Sequence, residues 1–268
     1  MEVCKMCGRQ VEKLVRCHIY PNAITKAVLA EEHSISTMSI ADGPRTSSGH
    51  AGFLDPNIVC ARCEALFGRA DEYAVHFRKK VLILEPPYQA LSSEIFLFRA
   101  RSDLLHTFAM QTVLRASLSQ RPENRLIDAT EFHNEIISHL INGESTIKMG
   151  TEVCIWVTRG EFKSYSAAPA IASFSEKDVW RISPPGMHLF VAMSSEGLPK
   201  ALSHSKLTPA EDVIVRRRRN PDREEMQAIE ELLIPNMESV AKISKSALKR
   251  AGSMMPHDWL AYGTLKNK

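Results

Sequence analysis

The sequence predicts an α+β protein in which an N-terminal zinc module over residues 1–84 precedes a larger domain of helices and antiparallel sheet over residues 88–268. Three observations carry this expectation. Two Cys-x-x-Cys pairs, Cys4/Cys7 and Cys60/Cys63, bracket the first segment. Apolar residues at helical spacing follow Cys63 and recur around Leu104 to Ala116, and β-branched and aromatic runs separated by Gly and Pro follow residue 151. The 268 residues, 44% hydrophobic and 24% charged, can bury a core and exclude a disordered or fibrous chain. A formal charge of +3 is too small to imply nucleic-acid binding by itself, so any basic surface is expected to be local. Apolar runs such as Val81-Leu82-Ile83-Leu84 are far shorter than the roughly 18–20 residues that span a bilayer. The start also lacks the basic and apolar regions of a secretory signal, so the expectation is a cytoplasmic protein with no membrane partner.

In a reducing compartment, two closely spaced thiolate pairs point to a tetrahedral zinc before they point to disulfides. The alternative, a redox dithiol, belongs at a strand-to-helix turn of a βαβ unit, and neither pair has that setting. Gly8 allows a tight knuckle after Cys7. After the second pair, Ala65, Leu66, Tyr73 and Phe77 predict a helix whose N-terminal dipole favours thiolate at Cys60 and Cys63. Knuckle, extended stretch and ligand-bearing helix follow the plan of a treble clef. Between the pairs, Ile35 to Asp55 is rich in Ser, Thr, Gly and Pro and reads as an inserted loop, either a solvated one or a flap carrying His50.

Taken together, Cys4-x-x-Cys7-Gly8, His18-Ile19-x-Pro21, Asn57 and Cys60-x-x-Cys63-Glu64 resemble the zinc-containing HNH (His-Me finger) nucleases. The resemblance implies a structural zinc on the four cysteines, His18 as the general base that activates water, and Asn57 orienting it. It also puts Glu64 at the position that helps to hold a separate catalytic Mg2+ or Mn2+. The residue types suit that chemistry: neutral imidazole takes a proton from water, and a carboxylate is a ligand for a hard cation. Three positions depart from the family. Cys17 stands where the nucleases carry an acidic residue, Glu64 replaces histidine or asparagine, and Asn57 lies three residues before Cys60, with Asp55 nearer the usual place. Cys-x-x-Cys, His-Ile-x-Pro, Cys-x-x-Cys-Glu with Phe67 and the helix around Val113-Leu114-Arg115 also look like a bacterial and phage-type group labelled HNH-like, whose activity is mostly unassigned. His18 has a second reading as a structural residue or spare zinc ligand. Glu64 has one as a carboxylate placed by the helix dipole, Asp55-Pro56-Asn57 as an ordinary turn, and Cys17 as buried filler.

The remaining elements follow in order. Glu85-Pro86-Pro87 breaks the first long helix and marks the boundary. Leu104, Leu105, Phe108, Val113 and Ala116 predict an amphipathic helix. An Asp128-to-Glu131 capping box then opens a second, with Phe132, Ile136, Ile137, Leu140 and Ile141 inward and His133 and His139 outside any ligand spacing. Strands are expected at Val153–Val157, Ile171–Phe174, Val179–Ile182 and His188–Met193, with Cys154 in the core. Arg216, Arg217, Arg218 and Arg219 follow a strand-like Val213-Ile214-Val215 and are candidates either for phosphate contact or for pairing with Glu211, Asp212, Glu224 and Glu225. A last helix bears Lys242, Lys245, Lys249 and Arg250. The expected partner is nucleic acid, DNA in the first instance, with a homo-oligomer or protein partner left open. The functional alternatives are a divalent-metal-dependent endonuclease, a non-catalytic zinc-stabilised module that binds nucleic acid or protein, and an unrelated activity in the larger domain.

Overall fold

Two short strands, β1 (Glu2–Val3) and β2 (Gln10–Val11), pair antiparallel and carry the first cysteine pair in the turn between them. The computed structural model describes residues 1–32, 35–39, 45–49, 52–83, 93–158, 165–174, 177–203, 205–209 and 212–218. Next, β3 (Val15–His18) pairs antiparallel with β6 (Leu54–Val59), in the register Cys17 to Asp55 and His18 to Leu54. Directly after β6, Cys60 leads into α2 (Ala61–Ile83), as the apolar spacing beyond Cys63 predicts. Between β3 and β6 the chain forms α1 (Asn22–Glu32), with Ile24, Thr25 and Val28 buried.

The stretch read as an inserted loop is a hairpin instead. β4 (Ile35–Ser39) pairs antiparallel with β5 (Arg45–Gly49), and β4 also runs parallel to β9 (Tyr165–Ser173). Ser-Thr strands lack the apolar alternation that signals a strand, and here β4 joins the backbone ladder that β9 offers. Asp42-Gly43-Pro44 and His50 lie outside the described residues, as do Pro86 and the boundary it was expected to mark.

The main sheet has the order β5-β4-β9-β10-β11-β8-β12-β7. Its members include β7 (Ser93–Arg99), β8 (Val153–Thr158), β10 (Asp178–Ser183), β11 (Met187–Ala192) and β12 (Asp212–Arg218). Most neighbours are antiparallel, as expected, but β4 with β9 and β12 with β8 are parallel. β7 was not foreseen from sequence; it pairs along its whole length with β12. Pro169 is tolerated inside β9 because the β4 ladder ends at Ala167 and the β10 register shifts between Arg181 and Ser183, so its missing N–H is not needed.

Strand alternation gives the sheet two buried faces. Val153, Ile155, Val157, Trp180, Ile182, Met187, Leu189 and Val191 join one cluster with the helices and the N-terminal segment. Cys154, Trp156, Val179 and Phe190 face the other way and are covered by Leu198 and Leu202, the latter on the short helix α5 (Lys200–Ser203). Cys154 is thus core, as its apolar setting predicts.

The helix expected as amphipathic, α3 (Ser102–Leu118), has 14 of its 17 residues buried because it sits between the sheet, α2 and the N-terminal segment. Each fully buried side chain such as Leu105, Phe108 or Val113 contributes roughly 1.5–3 kcal/mol. The expected capping box does not form: Asp128 Oδ1 accepts from Thr130 N and Oγ1 in a local turn, the 3-10 turn (Thr130–Phe132) starts at Ala129 without a side-chain cap, and α4 (His133–Ile141) follows. Ile136 and Leu140 are buried as expected, but Ile141 is 59% exposed because α4 ends at the surface.

Candidate metal centre and the charge cluster beside it

Cys4 and Cys7 share the β1–β2 turn. Gly8 has φ +69° there, and its N–H donates to the Cys4 carbonyl at 2.8 Å, a backbone shape that disfavours any Cβ-bearing residue. Cys60 and Cys63 sit at the start of α2. The four sulfurs lie within 4.8 Å of one another, with Cys4 Sγ and Cys63 Sγ 3.7 Å apart, a cluster able to hold a metal ion such as zinc. Cys60 N–H points to Cys4 Sγ at 3.3 Å, the kind of amide-to-sulfur contact that stabilises a thiolate. Burial and the neighbouring thiols push the Cys63 thiol well up, so a cation bound there would displace a proton. Among the described residues no other group of His, Cys, Asp or Glu converges in this way.

The knuckle is also tied to its surroundings. Lys5 N–H donates to the Ile58 carbonyl at 2.9 Å, and Lys5 Nζ donates to the Leu118 carbonyl at 3.1 Å, satisfying an end-of-helix acceptor on α3.

Beside the cysteines lies a second group that local sequence spacing does not reveal. Cys17 is fully buried, and its thiol hydrogen-bonds the Glu64 carboxyl. Burial raises Glu64 from the usual carboxylate value, against the pull of Cys17 and Arg115, and its Oε2 is buried without a hydrogen-bond partner among the described residues. Arg115 has no exposed side-chain surface. Its guanidinium makes a two-pronged pair with Asp71 at 2.9 and 2.8 Å and stacks over Phe67, 4.8 Å from the ring centre. Gln111 Nε2 donates to Phe67 O at 3.2 Å and also to Asp71 Oδ1.

His18 ends β3 beside this group and is half-buried. Burial first, then the charges of Arg115, Arg16 and Lys26, lower it from its ordinary value of 6.5, so the ring is neutral at pH 7. His18, Cys17 and Glu64 thus all feel the Arg115 charge.

The Asp55-Pro56-Asn57 segment is strand, not turn. Asp55 is buried and accepts from Ser119 Oγ at 2.8 Å, Gln120 N at 3.3 Å and Asn57 N at 2.9 Å, which fastens β6 to the end of α3. Asn57 is exposed. His133 Nε2 meets Ser117 Oγ at 2.9 Å and His139 lies 3.6 Å from Glu144, both away from the cysteines in sequence and in partner. Arg216, Arg217 and Arg218 belong to β12, which runs inside the sheet between β8 and β7 and not in a free loop. Arg219 and the basic C-terminal helix expected after it lie outside the described residues.

Asp71 and Arg115 were not singled out from sequence, though a signal exists. Glu64 and Asp71 are seven residues apart, on the same α2 face as Phe67, Ala70 and Ala74, and carboxylates on a buried stripe call for a cation. Comparison of the chain with family models, with curated proteins and with solved structures finds no match.

Proposed function

We propose that this protein is an HNH-type endonuclease: a treble-clef module holds a structural zinc on Cys4, Cys7, Cys60 and Cys63, and the site beside it hydrolyses phosphodiester bonds in DNA. The observation that supports this most is the meeting of Cys17 and Glu64 next to His18, since the resemblance assigns these three positions to one site. The antiparallel pair of β3 and β6 followed by α2, with cysteines before and after it, is consistent with it. His18, held neutral by its surroundings, accepts the proton of the attacking water. Asn57, exposed on β6, is the residue available to orient that water. Glu64 offers a hard cation one carboxylate oxygen, Oε2, that lacks a partner among the described residues, and Cys17 offers none of the oxygen such a cation prefers. A bound Mg2+ or Mn2+ would supply charge stabilisation on the phosphate.

One observation favours a second reading, a zinc-stabilised binding module without catalysis. Among the described residues only the four cysteines form a group of three or more metal-ligating side chains. The two readings separate in one experiment. Zinc-loaded protein is incubated with supercoiled plasmid DNA and Mg2+ or Mn2+, beside His18→Ala at matched zinc content and near-UV dichroism. Cutting by the wild type and its loss in the variant is the expected result. An intact, zinc-loaded wild type that cuts with neither metal would establish the binding module instead.

A further inference from the structure

Three exposed cationic side chains, Arg16, Lys26 and Arg121, come from β3, α1 and the segment after α3. Along β3, Arg16 is exposed, Cys17 buried and His18 half-buried, so strand alternation puts Arg16 and His18 on one face. Lys26 is exposed on α1, whose Ile24, Thr25 and Val28 turn inward. Lys26 follows Thr25, whose Oγ1 lies 2.8 Å from where a Cβ on Gly52 would stand, two residues before the Leu54 that pairs with His18, and the charges of Arg16 and Lys26 both act on the His18 ring. Arg121 arrives from the far edge of the hairpin. Its Nε donates to the Leu54 carbonyl at 3.2 Å, and Leu54 is the register partner of His18. Arg121 remains 48% exposed and lies 3.6 Å from Glu123, an exposed-type pair that a polyanion can displace. Arg16 and Lys26 make no ion pair among the described residues.

Two cations without an ion-pair partner among the described residues and one loosely paired arginine around a half-buried imidazole are unfavourable neighbours for one another unless an anion joins them. Arg115 cannot be that anion's direct partner, because its guanidinium is buried against Asp71. We propose that Arg16, Lys26 and Arg121 form a phosphate-binding rim that lays the sugar-phosphate backbone of a nucleic acid across His18. The rim stands on residues in three separate elements, β3, α1 and the segment after α3, so it forms only in the folded protein. It rests on the nucleic-acid reading above, but its readout is binding, so a protein that binds without cutting leaves it standing.

The test uses the full-length, zinc-loaded protein, without added Mg2+ or Mn2+, and fluorescence anisotropy of labelled duplex DNA and of RNA of the same sequence across a salt series. The combined variant Arg16→Gln, Lys26→Gln, Arg121→Gln is compared with Lys200→Gln, an exposed lysine on α5. The rim predicts a loss of affinity on the order of tenfold or more, and a salt slope shallower by about 2.7, near 0.9 for each phosphate contact removed. Lys26→Gln alone, which disturbs no hydrogen bond among the described residues, lowers the slope by about 0.9. Lys200→Gln leaves both unchanged. Binding confined to RNA, and lost in the combined variant, keeps the rim and makes RNA its polymer. A wild type that binds neither polymer, or a combined variant that matches Lys200→Gln, overturns the proposal.

Discussion

A guanidinium with no exposed surface stays folded in only where an opposite charge answers it, and Asp71 answers Arg115 with both of its oxygens. Asp71→Asn keeps the shape and removes the charge, leaving Arg115 uncompensated. Urea unfolding is expected to show a loss of about 3–5 kcal/mol, and a loss below about 1 kcal/mol would mean that Glu64 or water carries the compensation. His106 poses the reverse problem, a buried base. Its Nε2 donates to the Thr151 carbonyl at 2.7 Å and Nδ1 faces Thr146 Oγ1 at 2.8 Å, and burial lowers it to about 4. The unfolded chain therefore binds a proton that the folded chain refuses between about pH 6.5 and 4. Stability is present above that window and is lost as pH falls through it. Between pH 7 and 5 the wild type should lose about 2 kcal/mol more than His106→Gln; equal losses would remove His106 as the cause. At this scale His18 and Glu64 were singled out through the resemblance of their motifs to a known family. Asp71 and Arg115 stayed hidden because they are 44 positions apart and meet only through the packing of α2 on α3.

Among the elements, β6 best separates structure from chemistry. Its Asp55 fixes the end of α3 through Ser119 and Gln120, while Asn57, two residues on, is exposed. Asp55→Ala takes the acceptor from the half-buried Ser119 hydroxyl and from two backbone N–H groups, and is expected to lower stability by about 2 kcal/mol. Asn57→Ala should stay within about 0.5 kcal/mol of wild type, since exposed positions away from such features tolerate change. If Asn57→Ala also loses plasmid cutting at unchanged stability, the carboxamide works on the substrate; if Asn57→Ala destabilises the fold as much as Asp55→Ala, the division of labour along β6 is wrong. The strands that sequence patterning anticipated in place, β8, β10, β11 and β12, have runs of β-branched or aromatic residues, whereas the strand expected at Ile171–Phe174 is only the end of the longer β9 (Tyr165–Ser173). β4 and β5 were read as loop because neither ISTMS nor RTSSG shows apolar alternation: β4 joins the sheet through β9, far along the chain, and β5 joins through β4, and no local pattern encodes that. α2 was legible because its apolar stripe and its cysteines give the same boundary.

At the scale of the whole molecule, the question is whether the cysteine cluster is an appendage or part of one cooperative unit. Cys4, Cys17, Cys60 and Cys63 lie in the same buried cluster as Phe108, Leu114, Ile155, Trp180 and Leu207. Polar ties cross at the same places. Tyr20 donates its hydroxyl to Ala167 O at 2.6 Å and accepts from Ser183 N at 3.1 Å, Arg78 Nε donates to Pro185 O, and Lys5 reaches Leu118 O. β4 continues the ladder of β9, so the N-terminal segment contributes a strand to the main sheet. A module joined through shared core, shared sheet and buried hydrogen bonds does not melt by itself. Calorimetry of the metal-loaded protein should therefore give a single transition in which the calorimetric and van't Hoff enthalpies agree. Because metal bound only to the folded state stabilises that state by mass action, chelation should move this one transition to lower temperature without splitting it. Near-UV dichroism of Trp156 and Trp180, both in the main sheet, should follow the same shift. Two transitions, of which only the first responds to the chelator while the tryptophan signal holds, would instead mark the cysteine segment as a separate unit and confine the role of zinc to it.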